Sequence, residues 1–216
     1  MLSVNSVVKF LPREFYSRPT LTVARELLGA RLVRVLDGQR LSGFITEAEA
    51  YIGEEDLGCH AKAGLTPRTA VMYGPPGHAY VYFTYGMHWC LNVVTGPEGT
   101  ATAVLLRSGT VVEGLEVART RRPASRTDSS LASGPARLAQ ALGVDGSYLG
   151  VDLLDPTSQL RLVPPAGKHV GAVLAGPRVG LSAAANLPWR FWLDGEPSVS
   201  RYRPATPRRG RPQSAP

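Results

Sequence analysis

The stretch His78 to Asn92, HAYVYFTYGMHWCLN, commits any fold of this chain to an antiparallel hairpin. Tyr80-Val81-Tyr82-Phe83 alternates in the two-residue rhythm of a strand, which puts Tyr80 and Tyr82 on one face and Val81 and Phe83 on the other. Tyr85-Gly86 breaks the rhythm: a glycine that can take positive φ makes a natural hairpin tip and pushes the residue before it out of the sheet. Six of the sixteen aromatic residues, Tyr73, Tyr80, Tyr82, Phe83, Tyr85 and Trp89, fall between positions 73 and 89. Tyrosines on strands commonly pack at one end and stay wet at the other, and that ordinary role suits Phe83 and Trp89 as core. It leaves Tyr80 and Tyr82 as either core or a stacking wall for a flat ligand. Tyr85 fits it worst, because an aromatic ring exposed at a turn tip costs solvation unless it is used, for example as a wedge between base pairs.

A chain of 216 residues suits one domain with a substantial core. The formal charge of +7 invites a nucleic-acid reading, but Arg201, Arg203, Arg208, Arg209 and Arg211 lie in the last sixteen residues. Without those five, +7 falls to about +2 on the globular part, so bulk charge alone indicates no partner. Two cysteines, Cys59 and Cys90, make no disulfide framework, and the N-terminus lacks the basic start and apolar core of an export signal. A reducing, cytoplasmic compartment is expected, and no apolar run approaches the roughly 18 residues of a membrane helix.

A helix capped by Thr22 is expected through Val23, Ala24, Leu27 and Leu28, stopping at Gly29. Arg31 to Leu36 and Arg40 to Tyr51 form a hairpin across Asp37-Gly38. Residues 53–77, rich in Gly and Pro, give loops around one short helix. A strand over Ala101 to Arg107 ends in a charge, and a helix through Leu115, Val117 and Ala118 ends in Arg119 to Arg122. The polar stretch to Ser133 is expected to be mobile. Ser133-Gly134-Pro135 starts a helix with the apolar stripe Leu138, Ala139 and Leu142. Short strands are expected at 159–163, 176–181 and 189–193. Residues 1–200 are read as the functional domain and 201–216 as a disordered basic tail.

Strict alternation places Ile45, Glu47, Glu49 and Tyr51 on one strand face. Two carboxylates about 7 Å apart raise one another's proton affinity unless a cation compensates, and Arg107 is the candidate cation. An ionised carboxylate held by an arginine can act as a general base; the plain alternative is an exposed face with solvated glutamates. His60 follows in a loop, where it can meet a ligand or cap a helix. Cys59, His60, His88 and Cys90 could ligate a metal, but their spacing matches no common zinc pattern. Phosphate-binding glycine loops, a serine elbow, zinc-protease and zinc-deaminase signatures are all absent, which narrows the search to metal-free chemistry without a cofactor.

Taken together, Glu47-Ala-Glu49-Ala-Tyr51, Asp56 to His60, Thr66-Pro67-Arg68, Tyr80-Val81-Tyr82, Tyr85-Gly86-Met87, Asn92, Val104 to Arg107 and Ser133-Gly134-Pro135 resemble the alkyladenine (3-methyladenine) DNA glycosylase family. Order and spacing match from about residue 22 to 194. The resemblance implies a monofunctional enzyme that flips a damaged purine out of duplex DNA and hydrolyses its N-glycosidic bond. It implies an α+β fold: one domain, a curved, mostly antiparallel, open barrel-like sheet with helices around it and a protruding hairpin. Glu49 would activate water, with Arg107 and the carbonyl of Val179 helping to hold that water. Tyr51 and Tyr82 would stack on the flipped base, His60 would meet its edge or backbone, and Asn92 would exclude purines with a 2-amino group. Tyr85 would fill the vacated stack. Met87 and Thr66 would follow the minor groove, Tyr80 and Leu105 would contribute to the DNA-binding surface, and Arg137 would meet phosphate.

His78 and His88 depart from the family pattern, and the loop Val93 to Ala103 is longer than it, which bears on substrate range rather than reaction type. Of the three lysines, Lys9, Lys62 and Lys168, none lies inside the aromatic or carboxylate motifs, in keeping with water as the nucleophile. The expected partner is double-stranded DNA containing damaged purines, met by a nucleoid-associated monomer without membrane contact. A non-catalytic binder of distorted DNA is the rival reading, and Glu49 separates the two, because a carboxylate near phosphate only weakens binding.

Overall fold

Two glycine turns close the hairpins that organise the sheet. Asp37 and Gly38, both at positive φ (50° and 73°), join β1 (Arg31–Leu36) to β2 (Gln39–Ile52). Tyr85 and Gly86, at 52° and 67°, join β3 (Ala79–Thr84) to β4 (His88–Val94), with the Met87 N–H donating to the Thr84 carbonyl at 3.2 Å. Paired positive φ values match the right-handed twist of the flanking strands, as a two-residue hairpin requires. The remaining strands are β5 (Thr102–Glu113), β6 (Leu160–Val163), β7 (Val173–Gly176) and β8 (Arg190–Leu193). The computed structural model describes residues 10–165 and 171–205.

All pairings are antiparallel, in the order β3-β4-β5-β2-β1-β6, with β8 on β2 and β7 on β8. The result is the expected α+β fold with a curled, half-barrel sheet. β2 is its spine: one edge pairs with β5, while the other pairs with β1 over its first half and with β8 at Glu47–Glu49. Among the described residues four helices flank the sheet, α1 (Arg13–Tyr16), α2 (Thr20–Glu26), α3 (Leu115–Arg121) and α4 (Pro135–Leu142). The main apolar core packs α2 and α4 against Ile45, Ala48, Ala50, Val81, Leu91 and Leu106. A second, smaller cluster gathers Tyr80, Cys59, Met72 and Ala103, with Tyr51 and Tyr82 at its margin.

Alternation on β2 is broken between Ile45 and Ala48. Ile45 faces Gly109, Glu47 faces Ser108 and Ala48 faces Leu106, so Thr46 on β2 and Arg107 on β5 have no opposite residue. This bulge shifts the side-chain parity by one. Ile45 therefore joins Ala48 and Ala50 in the main core, and the expectation that it shares a face with Glu47, Glu49 and Tyr51 is corrected.

Other boundaries move for identifiable reasons. α2 starts at Thr20 directly after Pro19, whose fixed φ leads into the helix, so Thr22 lies inside it and caps nothing. β5 runs on to Glu113 instead of ending at Arg107, because buried carboxylates meet that charge. The strand expected at 176–181 ends at Gly176: Pro177 follows, has no N–H for a ladder, and turns Arg178 and Val179 into a loop. Two 3-10 turns, His60–Ala63 and Ala70–Tyr73, replace the one short helix expected in 53–77. The stretch before Ser133 is pinned by the Arg119–Asp128 ion pair, a Thr127/Ser130 capping box and the Arg122 bond to the Leu131 carbonyl. Phe83 is 46% exposed, stacking on half-buried Trp89 at a centroid distance of 4.7 Å, and so is not core. Of the basic tail, residues 201–205 run as exposed coil, and 206–216 lie outside the described residues, as do Lys9 and Lys168.

Candidate active site

The bulge turns Glu47, Glu49 and Tyr51 toward the side of β2 where Arg107 leaves β5. Glu47 is fully buried and accepts from Arg107 Nε at 2.9 Å, Arg190 Nε at 2.6 Å, the Ser108 hydroxyl at 2.6 Å, and the Ser200 N–H and hydroxyl at 2.8 and 2.9 Å. Burial alone would raise its proton affinity, but the two guanidiniums and Ser108 more than offset that and hold the carboxyl below its usual range. Glu49, also fully buried, accepts from the Val179 N–H at 2.7 Å on one oxygen, and from the Tyr51 hydroxyl at 2.9 Å and Arg107 Nη1 at 3.2 Å on the other. A carboxylate offers about four lone-pair positions, so three donors leave it able to accept one more hydrogen bond.

Tyr51, Arg107 and Val179 together line a cavity of about 230 Å³. Glu49 is not itself part of that lining but is bonded to all three of these residues. Tyr80 and Tyr82 form a wall, their rings 5.5 Å apart, with Asn92 and Leu105 alongside and Thr84, Tyr85 and Pro135 also contributing. Buried Asn92 donates from its amide to the Tyr80 carbonyl at 2.9 Å. His60 opens its 3-10 turn edge-on to Tyr82 (4.5 Å between centroids), and its Nδ1 lies 3.0 Å from the Tyr80 hydroxyl. Arg68 approaches Nε2 at 3.3 Å and lies 5.2 Å from the Tyr82 ring centroid. Burial, with the charges of Arg68 and Lys62, lowers His60 to about 4, so it is neutral at pH 7. Since Arg68 can only donate, Nε2 accepts and the ring proton sits on Nδ1.

Glu49 is thus bonded to Arg107, Tyr51 and the Val179 N–H, and Arg107, Val179, Tyr51, His60, Tyr82 and Asn92 gather around one cavity. Tyr80 and Leu105, expected on the DNA surface, are 2% and 3% exposed and belong to the pocket wall, because the strand face carrying Tyr82 and Arg107 carries them too. Tyr85 and Met87 project from the hairpin at 86% and 68% exposure. Thr66 is half-buried, its hydroxyl 2.9 Å from that of Thr69, and Arg137 is exposed on the first turns of α4.

Sequence reasoning missed the supports. Arg178, 1% exposed, grips Asp56 through two bonds of 2.5 and 2.7 Å, bonds the Ala50 carbonyl at 3.0 Å and lies over the rings of Tyr51 and Trp189. It sets the backbone that delivers Val179. An arginine in the loop after Pro177, with an acid in the Asp56 to His60 motif, was the available signal. Ser200 was equally invisible, since nothing local marks a serine near the C-terminus as a partner of β2.

A larger cavity of about 560 Å³ lies between Pro19–Leu21, Glu54 and the 96–102 loop. It holds no counterpart of the Glu49–Arg107 pair, so the smaller cavity is the one equipped for chemistry. Among the described residues, no three His, Cys, Asp or Glu side chains gather to hold a metal ion. Cys59 and Cys90 are buried, and His88 is exposed on the hairpin.

An aromatic-walled pocket with a buried carboxylate beneath it and an exposed tyrosine beside it is an arrangement suited to a flat ligand. The family model for methylpurine-DNA glycosylase matches residues 14–197, and the chain belongs to that family. It is therefore a DNA glycosylase, a hydrolase of N-glycosidic bonds. A Streptomyces avermitilis protein named "Putative 3-methyladenine DNA glycosylase" is 52% identical over 203 residues, covering 93% of this chain and 95% of that one. Proteins of the same name from Frankia casuarinae (48% over 207 residues; 92% and 94%) and Myxococcus xanthus (48% over 200 residues; 91% and 96%) are similarly close.

Proposed function

We propose that the protein flips alkylated or deaminated purines, of the 3-methyladenine, 7-methylguanine, hypoxanthine or ethenoadenine type, out of duplex DNA and hydrolyses the N-glycosidic bond with a water activated by Glu49, initiating base excision repair. The observation that carries this reading is the placement of Glu49 beneath the Tyr51, Arg107 and Val179 lining of an aromatic pocket. Bond cleavage builds positive charge on the sugar, and a carboxylate beneath the base both steadies that charge and takes the proton from the attacking water. Arg107 and the Val179 N–H hold the carboxylate in position for this.

Discrimination follows from energetics. A cationic alkylated base stacks well on electron-rich rings such as Tyr51 and Tyr82, and damaged pairs cost less to open. Asn92 in the wall disfavours a 2-amino group, so 7-methylguanine, which carries one, should be excised more slowly than the purines that lack it. Tyr85 fills the stack that the flipped base leaves, while Met87 and Thr66 follow the minor groove and Arg137 meets the backbone. A non-catalytic binder would gain nothing from burying a carboxylate under its base pocket.

The test is excision from a panel of duplexes, each carrying one lesion, hypoxanthine and 1,N6-ethenoadenine included, under single-turnover conditions with alkaline cleavage as the readout. Wild-type protein should break the strand at one or more lesions, and Glu49→Gln should slow this by at least about 10²-fold while retaining duplex affinity. Absence of strand breaks with every lesion would favour the binder, and an unimpaired Glu49→Gln would remove the assigned base.

A further inference from the structure

The chain after β8 returns to the catalytic network and then runs along the pocket rim. Ser200 is fixed at four points: its N–H and hydroxyl on Glu47, its carbonyl accepting from Arg190 Nη2 at 2.8 Å, and its hydroxyl 3.4 Å from Arg107 Nη2. Three residues on, the Arg203 carbonyl accepts from the Gly180 N–H at 2.9 Å, and Gly180 with its neighbours Val179 and Leu181 lines the pocket. Arg201, Tyr202 and Arg203 are therefore held at both ends on a short span of backbone, with all three side chains exposed. Among the described residues, no carboxylate pairs with either guanidinium.

We propose that Arg201 and Arg203 form a fixed phosphate-gripping lip at the mouth of the base pocket, contacting the backbone of the duplex whose nucleotide enters it. The proposal rests on the glycosylase reading of the site. Unpaired guanidiniums anchored beside the entry of a pocket for a polyanion's base meet the requirement for phosphate recognition, in which arginine donates to the non-bridging oxygens. The tie through Ser200 means that the same carboxylate, Glu47, positions Arg107 inside the site and the lip outside it. The contact is with phosphate, so it raises affinity without choosing the base.

The decisive measurement is the salt dependence of binding to an undamaged duplex by Arg201→Ala/Arg203→Ala, compared with wild type. Each lost phosphate contact removes about 0.9 from the slope of log Kobs against log salt, so the double variant should be shallower by roughly two units. Arg201→Lys/Arg203→Lys, which keeps both charges, should restore most of the slope. Lesion preference at saturating enzyme should match wild type. An unchanged slope in the alanine variant overturns the lip, as does a slope equally lost in the lysine variant, which would assign the effect to backbone disturbance. A change in lesion preference at saturation also overturns it, since a phosphate contact carries no base information. Because the slope is read on undamaged DNA, it stands apart from excision: a wild type that cleaves no lesion refutes the glycosylase mechanism without altering the slope comparison.

Discussion

Replacing Glu47 should cost the fold more than replacing Glu49, although the two carboxylates are equally buried and two residues apart. Glu47 serves two guanidiniums, Arg107 and Arg190, whose side chains are 7% and 5% exposed, and it also takes three donors from Ser108 and Ser200. Glu47→Gln removes the charge common to both cations and turns one acceptor oxygen into a donor facing other donors. Breaking a buried pair in this way costs about 3–5 kcal/mol, and at about 2–4 °C per kcal/mol for a chain of this size the melting temperature should fall by about 6–20 °C. In Glu49→Gln, Arg107 keeps Glu47 at 2.9 Å, and the loss is that of imperfect hydrogen bonds to Tyr51 and Val179, about 1–3 kcal/mol. Thermal melts at pH 7 by circular dichroism, on both variants and wild type, give the ranking. The reasoning is refuted if Glu47→Gln melts with wild type, or if Glu49→Gln is the less stable of the two.

Acid should destabilise through the same groups. Glu47 and Asp56 are held below the usual carboxylate range despite burial, by Arg107 and Arg190 and by Arg178 respectively, so the stability they contribute is full above that range and is lost as pH falls through their folded values. His60, lowered to about 4, adds to this trend: the unfolded chain takes up its proton first, so stability falls as pH drops from about 6.5 toward 4, and urea midpoints measured across pH 4 to 8 should decline steadily toward acid. A flat profile would contradict these assignments. Tyr85→Ser should impair excision from duplex more than from an already extrahelical base, and equal losses on both substrates would remove the wedge role. Asp56→Asn should loosen Arg178 and with it the Val179 backbone, lowering both melting temperature and single-turnover rate; a rate that stays at the wild-type value in folded protein would show that the Arg178 loop does not position Val179.

The hairpins were legible in the sequence because their determinants are local: Asp37-Gly38 and Tyr85-Gly86 specify their turns whatever surrounds them. The site residues were legible as types and in order. What local pattern could not give was parity. Alternation alone puts Ile45 with Glu47, and the bulge that separates them exists only in the register of β2 against β5, sixty residues away at Glu47 and Arg107. Whether Tyr80 and Leu105 line a pocket or an outer surface was not legible for a related reason, since curvature of the sheet decides which of the two a strand face becomes. Arg178 was legible only as a loop arginine with a distant acid to meet, and Ser200 not at all, because the role of each is defined by partners elsewhere in the chain.

The two carboxylates differ in how far their charge is neutralised, and that difference bears on which of them can serve as the proposed base. Glu47 and Glu49 both contact Arg107, but its Nε is 2.9 Å from Glu47 and its Nη1 3.2 Å from Glu49, while Arg190 bonds Glu47 alone. The positive charge of the network is concentrated on Glu47, which thereby becomes a structural anchor with every lone pair engaged. Glu49 is left with one long contact to a cation and two bonds from neutral donors, so less of its negative charge is neutralised by its neighbours. On the function proposed above, a sugar that develops positive charge above the Tyr51 and Val179 lining would meet in Glu49 the less neutralised of the two carboxylates, in a buried site of low dielectric. Had Arg190 reached Glu49 instead, both guanidiniums would have neutralised the carboxylate that lies under the pocket lining.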